Sequence, residues 1–306
     1  MKIYEARQKE INKGDVLGLM RVLREFDPWK GELCTCPKKF SFSPYTGCGH
    51  SCLYCYISAY IRDPFNPREK KDVLRFLSMD LREIKPGSIV AMSTSSDPYT
   101  PPEKERGITR RAIEIIRGAG MRLLVMTKSD LVVRDSDLLE GAAVSFTITT
   151  LDEKIASVLE PGAPPPLKRI DAMKRLSERV NLILRLDPII PGLNDDFEDL
   201  LELAKEAGVS HVVSSTYKAR QDSLKRMEEA FPWLKLHKLY SEGTRISGYL
   251  YLPYRIRRNL MERVRRKVLS LGMTFATCRE GMPEIHSPGV SCDGSHLSSA
   301  IRKFFV

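Results

Sequence analysis

Three cysteines within one short segment are the residues of this sequence most suited to chemistry. Cys48, Cys52 and Cys55 have the spacing C-x3-C-x2-C in the segment SPYTGCGHSCLYCY. A structural zinc site typically uses four ligands, often as two C-x2-C pairs. Three thiolates this close together can instead bind three irons of a [4Fe–4S] cluster and leave the fourth iron open to a small ligand. The spacing therefore favours an iron–sulfur cluster over zinc or over simple buried thiols.

The residues next to these cysteines fit a loop that wraps around a cluster. Gly47 and Gly49 have the backbone freedom that such a loop requires. Tyr54 precedes the third cysteine. We expect its aromatic ring either to shield the cluster or to line an adjacent ligand pocket.

The composition of the chain limits its fold and its location. The chain has 306 residues, of which 42% are hydrophobic and 29% charged, and its formal net charge is +10. These values suit one large domain or two modest ones and are not typical of a disordered chain. The sequence has no signal-peptide pattern and no run of about 18 apolar residues. We therefore expect a cytoplasmic protein with reduced thiols and no membrane partner, and the positive charge is compatible with a polyanionic one.

Short apolar, β-branched runs alternate with segments of helical pattern along much of the chain. The predicted strands are residues 39–42, 88–93, 122–127, 143–149, 181–186 and 211–215. The predicted helices between them are residues 103–117, 135–140, 167–178 and 195–207. The strand runs are too continuous for a sheet with one exposed face, so we expect both faces to be buried.

Strands that alternate with helices predict parallel βαβ units, and about six of them predict an α/β fold with a partial (β/α)6 barrel. Residues 39–218 are the predicted barrel core, with residues 1–38 as an N-terminal extension and residues 219–306 as a C-terminal region. In such barrels the chemistry takes place at the C-terminal ends of the strands. Those ends are rich in hydroxyls and charges in this chain, at residues 93–97, 127–130, 147–150, 185–187 and 214–216.

The cysteine motif, followed by this series of strands and helices, resembles the radical S-adenosylmethionine (radical SAM) superfamily. The resemblance implies that Cys48, Cys52 and Cys55 bind a [4Fe–4S] cluster whose open iron chelates the amine and carboxylate of SAM. It implies that one electron, from a reductant such as flavodoxin or ferredoxin, splits SAM into methionine and a 5′-deoxyadenosyl radical. This radical abstracts hydrogen from a substrate, while the protein orients SAM and excludes water.

A narrower resemblance, to the spore photoproduct lyase-related or DNA repair photolyase-like group, extends over most of the chain. The similar segments are residues 43–56, 93–103, 127–139, 147–152, 159–166 and 184–195. The resemblance implies that Ser95 and Asp97 lie where the SAM amino group is held, although Asp97 alternatively caps a helix near Pro101. It implies that the carboxylate and ribose of SAM lie near cationic and hydroxyl side chains, namely Lys128, Ser129, Thr147, Thr149 and Arg185.

One position departs from the pattern of that group. Spore photoproduct lyases carry a cysteine on the loop after the second strand, as hydrogen-atom donor, and the corresponding residue here is Thr94. A threonine O–H bond is too strong for this role, so the substrate need not be the same. We expect any donor to be a distant cysteine or a tyrosine such as Tyr56 or Tyr99.

Four cysteines remain besides the three of the motif. Cys34 and Cys36 form a C-x-C pair before the motif, and Cys278 and Cys292 lie near the C-terminal end of the chain. Four thiols are a full tetrahedral set, so one hypothesis is a second metal site with zinc or an auxiliary Fe–S cluster. The alternative is that they are separate small hydrophobic residues.

The sequence leaves the substrate open. Residues 253–267, PYRIRRNLMERVRRK, predict a helix with an apolar stripe and an outward basic face suited to phosphate contacts, and tyrosines at 249, 251 and 254 are candidates for stacking on bases. A DNA or RNA substrate, for repair or modification by a lyase- or transferase-type enzyme, is therefore the first hypothesis. Radical SAM modification of a peptide or small metabolite is the second, and a non-enzymatic iron–sulfur protein is the third.

Overall fold

The computed structural model describes residues 20–26, 31–92 and 95–300. Its strands are β1 (Arg24–Glu25), β2 (Phe40–Phe42), β3 (Tyr45–Thr46), β4 (Arg68–Glu69), β5 (Ile89–Met92), β6 (Arg122–Thr127), β7 (Ala143–Thr147), β8 (Asn181–Ile189), β9 (His211–Thr216), β10 (Thr244–Ile246), β11 (Tyr249–Tyr251) and β12 (Thr274–Thr277). Its α-helices are α1 (Val73–Leu81), α2 (Glu103–Arg106), α3 (Ile108–Gly118), α4 (Glu153–Leu159), α5 (Pro166–Leu176), α6 (Glu198–Glu206), α7 (Gln221–Ala230), α8 (Leu236–Leu239) and α9 (Tyr254–Ser270). Within these described ranges, no helix has both the length and the apolar character needed to cross a membrane.

An eight-stranded sheet, in the order β1-β2-β5-β6-β7-β8-β9-β12, forms the centre of the fold. All neighbours from β2 to β12 are parallel, and β1 is an antiparallel edge strand. The predicted α/β fold with a partial barrel is confirmed, since β2 and β5 to β9 correspond to the six predicted strands. The strand β12 extends the parallel series beyond them, and the pairs β3-β4 and β10-β11 form two small antiparallel ribbons.

Both faces of the parallel strands are buried, as their continuous apolar runs predict. One face forms a cluster with a side chain from each of five neighbouring strands, Ala91, Leu124, Ala143, Ile183 and Val213. The other face packs in the main core against helices α1, α3, α5, α6 and α9. Each fully buried Val, Leu or Ile side chain contributes about 1.5–3 kcal/mol relative to exposure, so this packing holds the strand ends in place.

The helices differ from the sequence prediction in three ways. The predicted helix 103–117 is broken at Gly107, which has a left-handed φ of +62° and separates α2 from α3. The predicted helix 135–140 overlaps the end of a 3-10 helix, Asp130–Leu138. The prediction also missed α4, whose start is marked by Asp152, because its carboxylate accepts the amide hydrogens of the first turn.

The basic helix is confirmed as α9, but its basic residues do not all face outward. The apolar stripe packs as expected, with Leu260, Val264 and Val268 buried. Arg257 is only 5% exposed and donates to Glu280 at 2.9 Å. Further basic residues of this helix are paired with acids, namely Arg258, Arg263 and Lys267. Acidic partners therefore neutralise much of the predicted basic face.

Candidate active site

Backbone hydrogen bonds hold the loop of residues 48–55. The amide of Cys48 donates to the carbonyl oxygen of Pro64 at 2.8 Å. Arg226 of α7 donates to the carbonyl oxygen of Cys55 at 3.1 Å. Because these bonds use main-chain atoms of the loop, they fix its path and leave the thiols for a ligand.

Two glycines of this region are required for steric reasons. Gly47 has a φ of +82°, and a Cβ there would lie 2.7 Å from the carbonyl oxygen of Asn66. Gly49 meets a different constraint, since a Cβ there would lie 2.8 Å from Pro101 Cδ. Contacts this short are essentially never seen for real Cβ atoms. The loop therefore packs too closely on its neighbours for larger residues at either position.

The three thiols fit an iron–sulfur cluster better than a single ion. None is in a disulfide, and all three face one cavity. Among the described residues, no three His, Cys, Asp or Glu side chains converge closely enough to hold one metal ion, whereas a cluster of four irons keeps its ligands further apart. Burial raises the pKa of Cys48 to about 12 and also raises the pKa values of Cys52 and Cys55. The thiolates that bind iron therefore need the positive charge of the metal.

A cavity of about 330 Å³ lies beside the cysteine loop. This volume is within the range of small-molecule and cofactor sites. The parallel strands bring residues from separate strand ends to one side of the sheet. The sequence-predicted residues that line the cavity are Cys36, Cys48, Cys52, Tyr54, Cys55, Tyr56, Ser95, Asp97, Lys128, Thr147, Arg185 and Cys278.

Asp97 connects the loop after β5 to the end of β6. Its Oδ1 accepts from the amide of Tyr99 at 2.9 Å and from Thr127 Oγ1 at 2.8 Å, and its Oδ2 accepts from the amide of Lys128 at 2.7 Å. His50 Nε2, on the cysteine loop, lies 3.2 Å from Oδ2. Burial would raise the pKa of Asp97, but His50 and these donors hold it below its usual value. The alternative role as a helix cap is not observed, because α2 has no side-chain cap.

Glu160 lies behind the cysteine loop and is 1% exposed. Tyr54 Oη donates to its Oε1. Arg169 Nη1 donates to its Oε2 at 2.5 Å, and Lys128 Nζ lies 4.0 Å from Oε1. Burial would raise the pKa of Glu160, but Arg169 and Lys128 hold it below its usual value. A buried carboxylate thus holds both the aromatic residue of the cysteine motif and a predicted SAM-binding lysine.

Arg185 forms a second charged group on the cavity wall. It lies two residues before Asp187 on β8, and side chains at this spacing share a face of the strand. Its Nη1 donates to Asp187 Oδ2 at 3.0 Å, and Ser215 Oγ donates to Asp187 Oδ1 at 2.5 Å. The Nε atom of Arg185 is buried and has no hydrogen-bond partner within residues 20–26, 31–92 and 95–300. This donor is suited to a ligand carboxylate.

Three predicted residues do not line the cavity. Ser129 Oγ accepts from the amide of Leu131 and caps a 3-10 helix. Thr149 Oγ1 donates to the Glu160 carboxylate at 3.3 Å. Tyr99 is 1% exposed within the main core. Thr94 lies outside the described residues.

The four remaining cysteines are divided between two places. Cys36 Sγ lies 3.2 Å from Cys292 Sγ, and Cys34 hydrogen-bonds to Cys36. Cys278 instead lies beside Arg185, although Cys36 and Cys278 both line the cavity. Three of the four cysteines of the hypothesised second metal site thus lie together, and the site itself stays a prediction.

Several charged residues of the site were missed in the sequence analysis. His50 lies inside the cysteine motif, and Asp187 lies at a polar strand end that was noted as a group. Lys218 and Arg279 line the cavity from the segments after β9 and β12. The sequence around Glu160 does not indicate its role, because this role depends on contacts with residues from other segments.

Residues 42–204 match the family model of the radical SAM superfamily. This span contains the three cysteines of the loop and more than half of the chain. The chain belongs to the radical SAM superfamily. Membership implies SAM and a [4Fe–4S] cluster as cofactors, and the donor set of three thiols beside a polar cavity fits both.

Curated relatives of this radical SAM protein include uncharacterised proteins of a virus and an archaeon. ORF301 of Acidianus two-tailed virus is 28% identical over 219 residues, which cover 62% of this chain and 70% of the viral protein. MJ0683 of Methanocaldococcus jannaschii is 35% identical over 166 residues, which cover 51% of this chain and 62% of the relative.

Solved structures of radical SAM proteins share the fold. Spore photoproduct lyase complexed with dinucleoside spore photoproduct aligns with a TM-score of 0.65 and 17% identity, over 84% of this chain and 78% of that one. Streptococcus suis SuiB bound to S-adenosylmethionine aligns with a TM-score of 0.51 and 15% identity, over 80% and 52% of the two chains. At these identities the likeness shows the fold alone.

Proposed function

We propose that this radical SAM protein binds a [4Fe–4S] cluster through Cys48, Cys52 and Cys55 and uses it to cleave SAM reductively. The observation that carries the proposal is that three thiols on one backbone-held loop face the same cavity as the polar strand ends. Low-potential electrons would come from a cytoplasmic reductant such as flavodoxin or ferredoxin.

The cavity offers suitable partners for each polar group of SAM. Lys128 and Arg185 are the cations for the carboxylate, and Ser95 and Thr147 supply hydroxyls for the amino group and the ribose. Both oxygens of Asp97 are already bonded within the protein. Asp97 therefore contributes to the SAM site mainly by positioning the loop that carries Ser95.

When bound, the cluster and SAM supply a 5′-deoxyadenosyl radical that abstracts hydrogen from a substrate. The residues of the chain orient SAM, exclude water and contact the substrate. Of the two candidate hydrogen-donor tyrosines, Tyr56 lines the cavity and is 39% exposed, whereas Tyr99 is buried in the core. We therefore assign the catalytic role to Tyr56.

We propose that the chain consists of an N-terminal extension (1–38), a barrel core (39–218) and a C-terminal region (219–306). Cavity residues come from all three parts, since Cys36 precedes the proposed core and Tyr249 follows it. The proposed core supplies the cluster and SAM sites, and the C-terminal part adds to the cavity wall where a substrate would enter.

We further propose nucleic acid as the substrate class, for repair or modification. The supporting feature is Tyr249, whose ring centroid lies 4.9 Å from the guanidinium of Arg220 and 4.6 Å from that of Arg279. Aromatic rings and arginine planes are the groups on which unpaired bases stack. The net charge of +10 adds attraction to phosphates. A solved structure of spore photoproduct lyase is complexed with dinucleoside spore photoproduct.

Three measurements test the proposal. Formation of 5′-deoxyadenosine from SAM with dithionite separates an enzyme from a protein whose cluster is structural, because a structural cluster yields none. Addition of DNA, tRNA, or a peptide and metabolite pool then identifies the substrate class as the one that raises the yield. Binding to nucleic acid must weaken with salt, and a rise with peptides or metabolites alone would contradict the nucleic-acid assignment.

A further inference from the structure

Cys36 and Cys292 form a close thiol pair although 256 residues separate them in the sequence. Their sulfurs lie 3.2 Å apart. Cys36 is partly exposed and lines the cavity, whereas Cys292 is 4% exposed and lies behind it. A disulfide bond is about 2.05 Å long, so closing this pair takes a movement of only about 1 Å.

The surroundings of the pair favour thiol chemistry over metal binding. Cys34 is the third sulfur nearby, yet no three ligands in the described part of the chain are placed to hold a metal ion. The hydrogen bond between Cys292 and Cys36 has the largest effect on the pKa of Cys36 and raises it, so Cys36 is a thiol in the reduced pair. Lys39 lies beside Cys36 and pairs with Asp293. Lys39 acts in the opposite direction to the hydrogen bond with Cys292, because its charge stabilises the minor thiolate form of Cys36 that attacks disulfides.

We propose that Cys36 and Cys292 are a redox-active thiol pair in the cavity wall, which a small disulfide entering the cavity oxidises. The thiolate of Cys36 attacks one sulfur of the small disulfide, whose S–S bond breaks and releases the first thiol. Cys292 then attacks Cys36 of the mixed disulfide and releases the second thiol. Two protein thiols are oxidised, one small disulfide is reduced, and the two protons pass to the released thiols.

The pair joins two segments that both contribute to the cavity wall. Cys36 belongs to the segment before β2, which also contributes Lys39 to the wall, and Cys292 adjoins Asp293 of the C-terminal segment. Oxidation therefore ties the two segments together by a covalent bond. This redox chemistry does not depend on the cluster or on SAM.

Cystamine is a suitable probe because it is a small disulfide. The anaerobic holoenzyme is incubated with cystamine, quenched with acid, alkylated and mapped by peptide mass spectrometry. We expect Cys36 and Cys292 to lose their free thiols together, in a linked peptide that a dithiol reductant reverses. Each link formed should be accompanied by two molecules of cysteamine.

Single variants test the direction of attack. In the Cys292→Ser variant, we expect the reaction to stop at a cysteamine adduct on Cys36. In the Cys36→Ser variant, we expect the buried Cys292 to stay unmodified. Cys278→Ser is the matched control, since Cys278 also lines the cavity and its loss should leave the link intact. A link between Cys34 and Cys36, adducts on both cysteines without a link, or one zinc per chain that is lost in Cys36→Ser would each overturn the proposal. The wild-type peptide map decides the pairing even if a variant fails to fold.

Discussion

Buried charges at single residues decide how this site is held together. Glu160 has almost no exposure. Its carboxylate accepts hydrogen bonds from Tyr54 and Arg169 and forms an ion pair with Lys128. A buried charge is costly unless it is paired, and the removal of one partner leaves the others uncompensated. The geometry of Tyr54 and Lys128 beside the cysteine loop therefore depends on this one carboxylate.

The substitution Glu160→Gln should be strongly destabilising. The amide keeps the shape of the side chain but leaves Arg169 and Lys128 without their anion, and breaking a buried pair in this way costs about 3–5 kcal/mol. Urea unfolding monitored by circular dichroism measures the loss. Glu153→Gln, at an exposed position on α4, is the matched control with little change. Equal stabilities of the two variants would show that Glu160 does not have this role.

The lowered pKa of the Asp293 carboxyl predicts that the stability of the protein depends on pH. Burial would raise the pKa of Asp293, but Lys39 lowers it from 3.8 to about 2. A lowered carboxyl pKa gives stability that is present above the unfolded pKa and lost as the pH falls towards the folded value. The shift corresponds to about 2 kcal/mol. The difference in unfolding free energy between wild type and Asp293→Asn should therefore shrink by about this amount between pH 6 and pH 2, and a constant difference would contradict the assignment.

At the scale of elements, the strand ends act as a unit because side chains bridge them. Asp97 bonds to the turn after β5 and to the end of β6, and it lies next to His50 of the cysteine loop. A parallel sheet fixes the strands, but the loops beyond them depend on such contacts. This carboxylate therefore positions the loops that carry Ser95 and Lys128, the residues that we propose bind SAM.

Replacing Asp97 with asparagine should weaken SAM binding. Hydrogen bonds to charged groups are worth about 1.5–3 kcal/mol, and loss of the charge loosens both loops. We expect the Kd for SAM, measured by equilibrium dialysis with the reconstituted protein, to rise about tenfold or more. The control is Asp171→Asn on the exposed face of α5. An unchanged Kd at full cluster content would exclude this positioning role.

Because basic residues of α9 are paired with acids, other basic residues are expected to contact nucleic acid. Arg258 is held by Glu262 and Glu284, whereas Arg279 lies on the ring of Tyr249 in the cavity wall. Arg279→Gln should weaken binding to a single-stranded oligonucleotide and lower the slope of log affinity against log salt by about one. Arg258→Gln removes the same charge and should have little effect. Equal losses would indicate attraction by net charge alone.

For the whole molecule, the features predictable from sequence are those encoded by neighbouring residues. The six strands were predicted because burial on both faces requires continuous apolar runs, and the cysteine motif was recognised because its three ligands lie on one loop. The outward face of α9 was predicted incorrectly for Arg257, since its partner Glu280 lies in another segment. The four-cysteine hypothesis brought Cys36 and Cys292 together, but nothing in the sequence marked these two as a pair, because only closure of the fold places these distant segments side by side.

The most direct test of the central claim is the cleavage of SAM by the anaerobically reconstituted protein. With dithionite as reductant, the wild type should bind about four irons per chain and form 5′-deoxyadenosine and methionine in equal amounts. Cys48→Ala should lose most of the iron and all of the product, whereas Cys278→Ala should keep the full iron content. A wild-type protein that holds four irons and binds SAM but forms no 5′-deoxyadenosine would contradict the account.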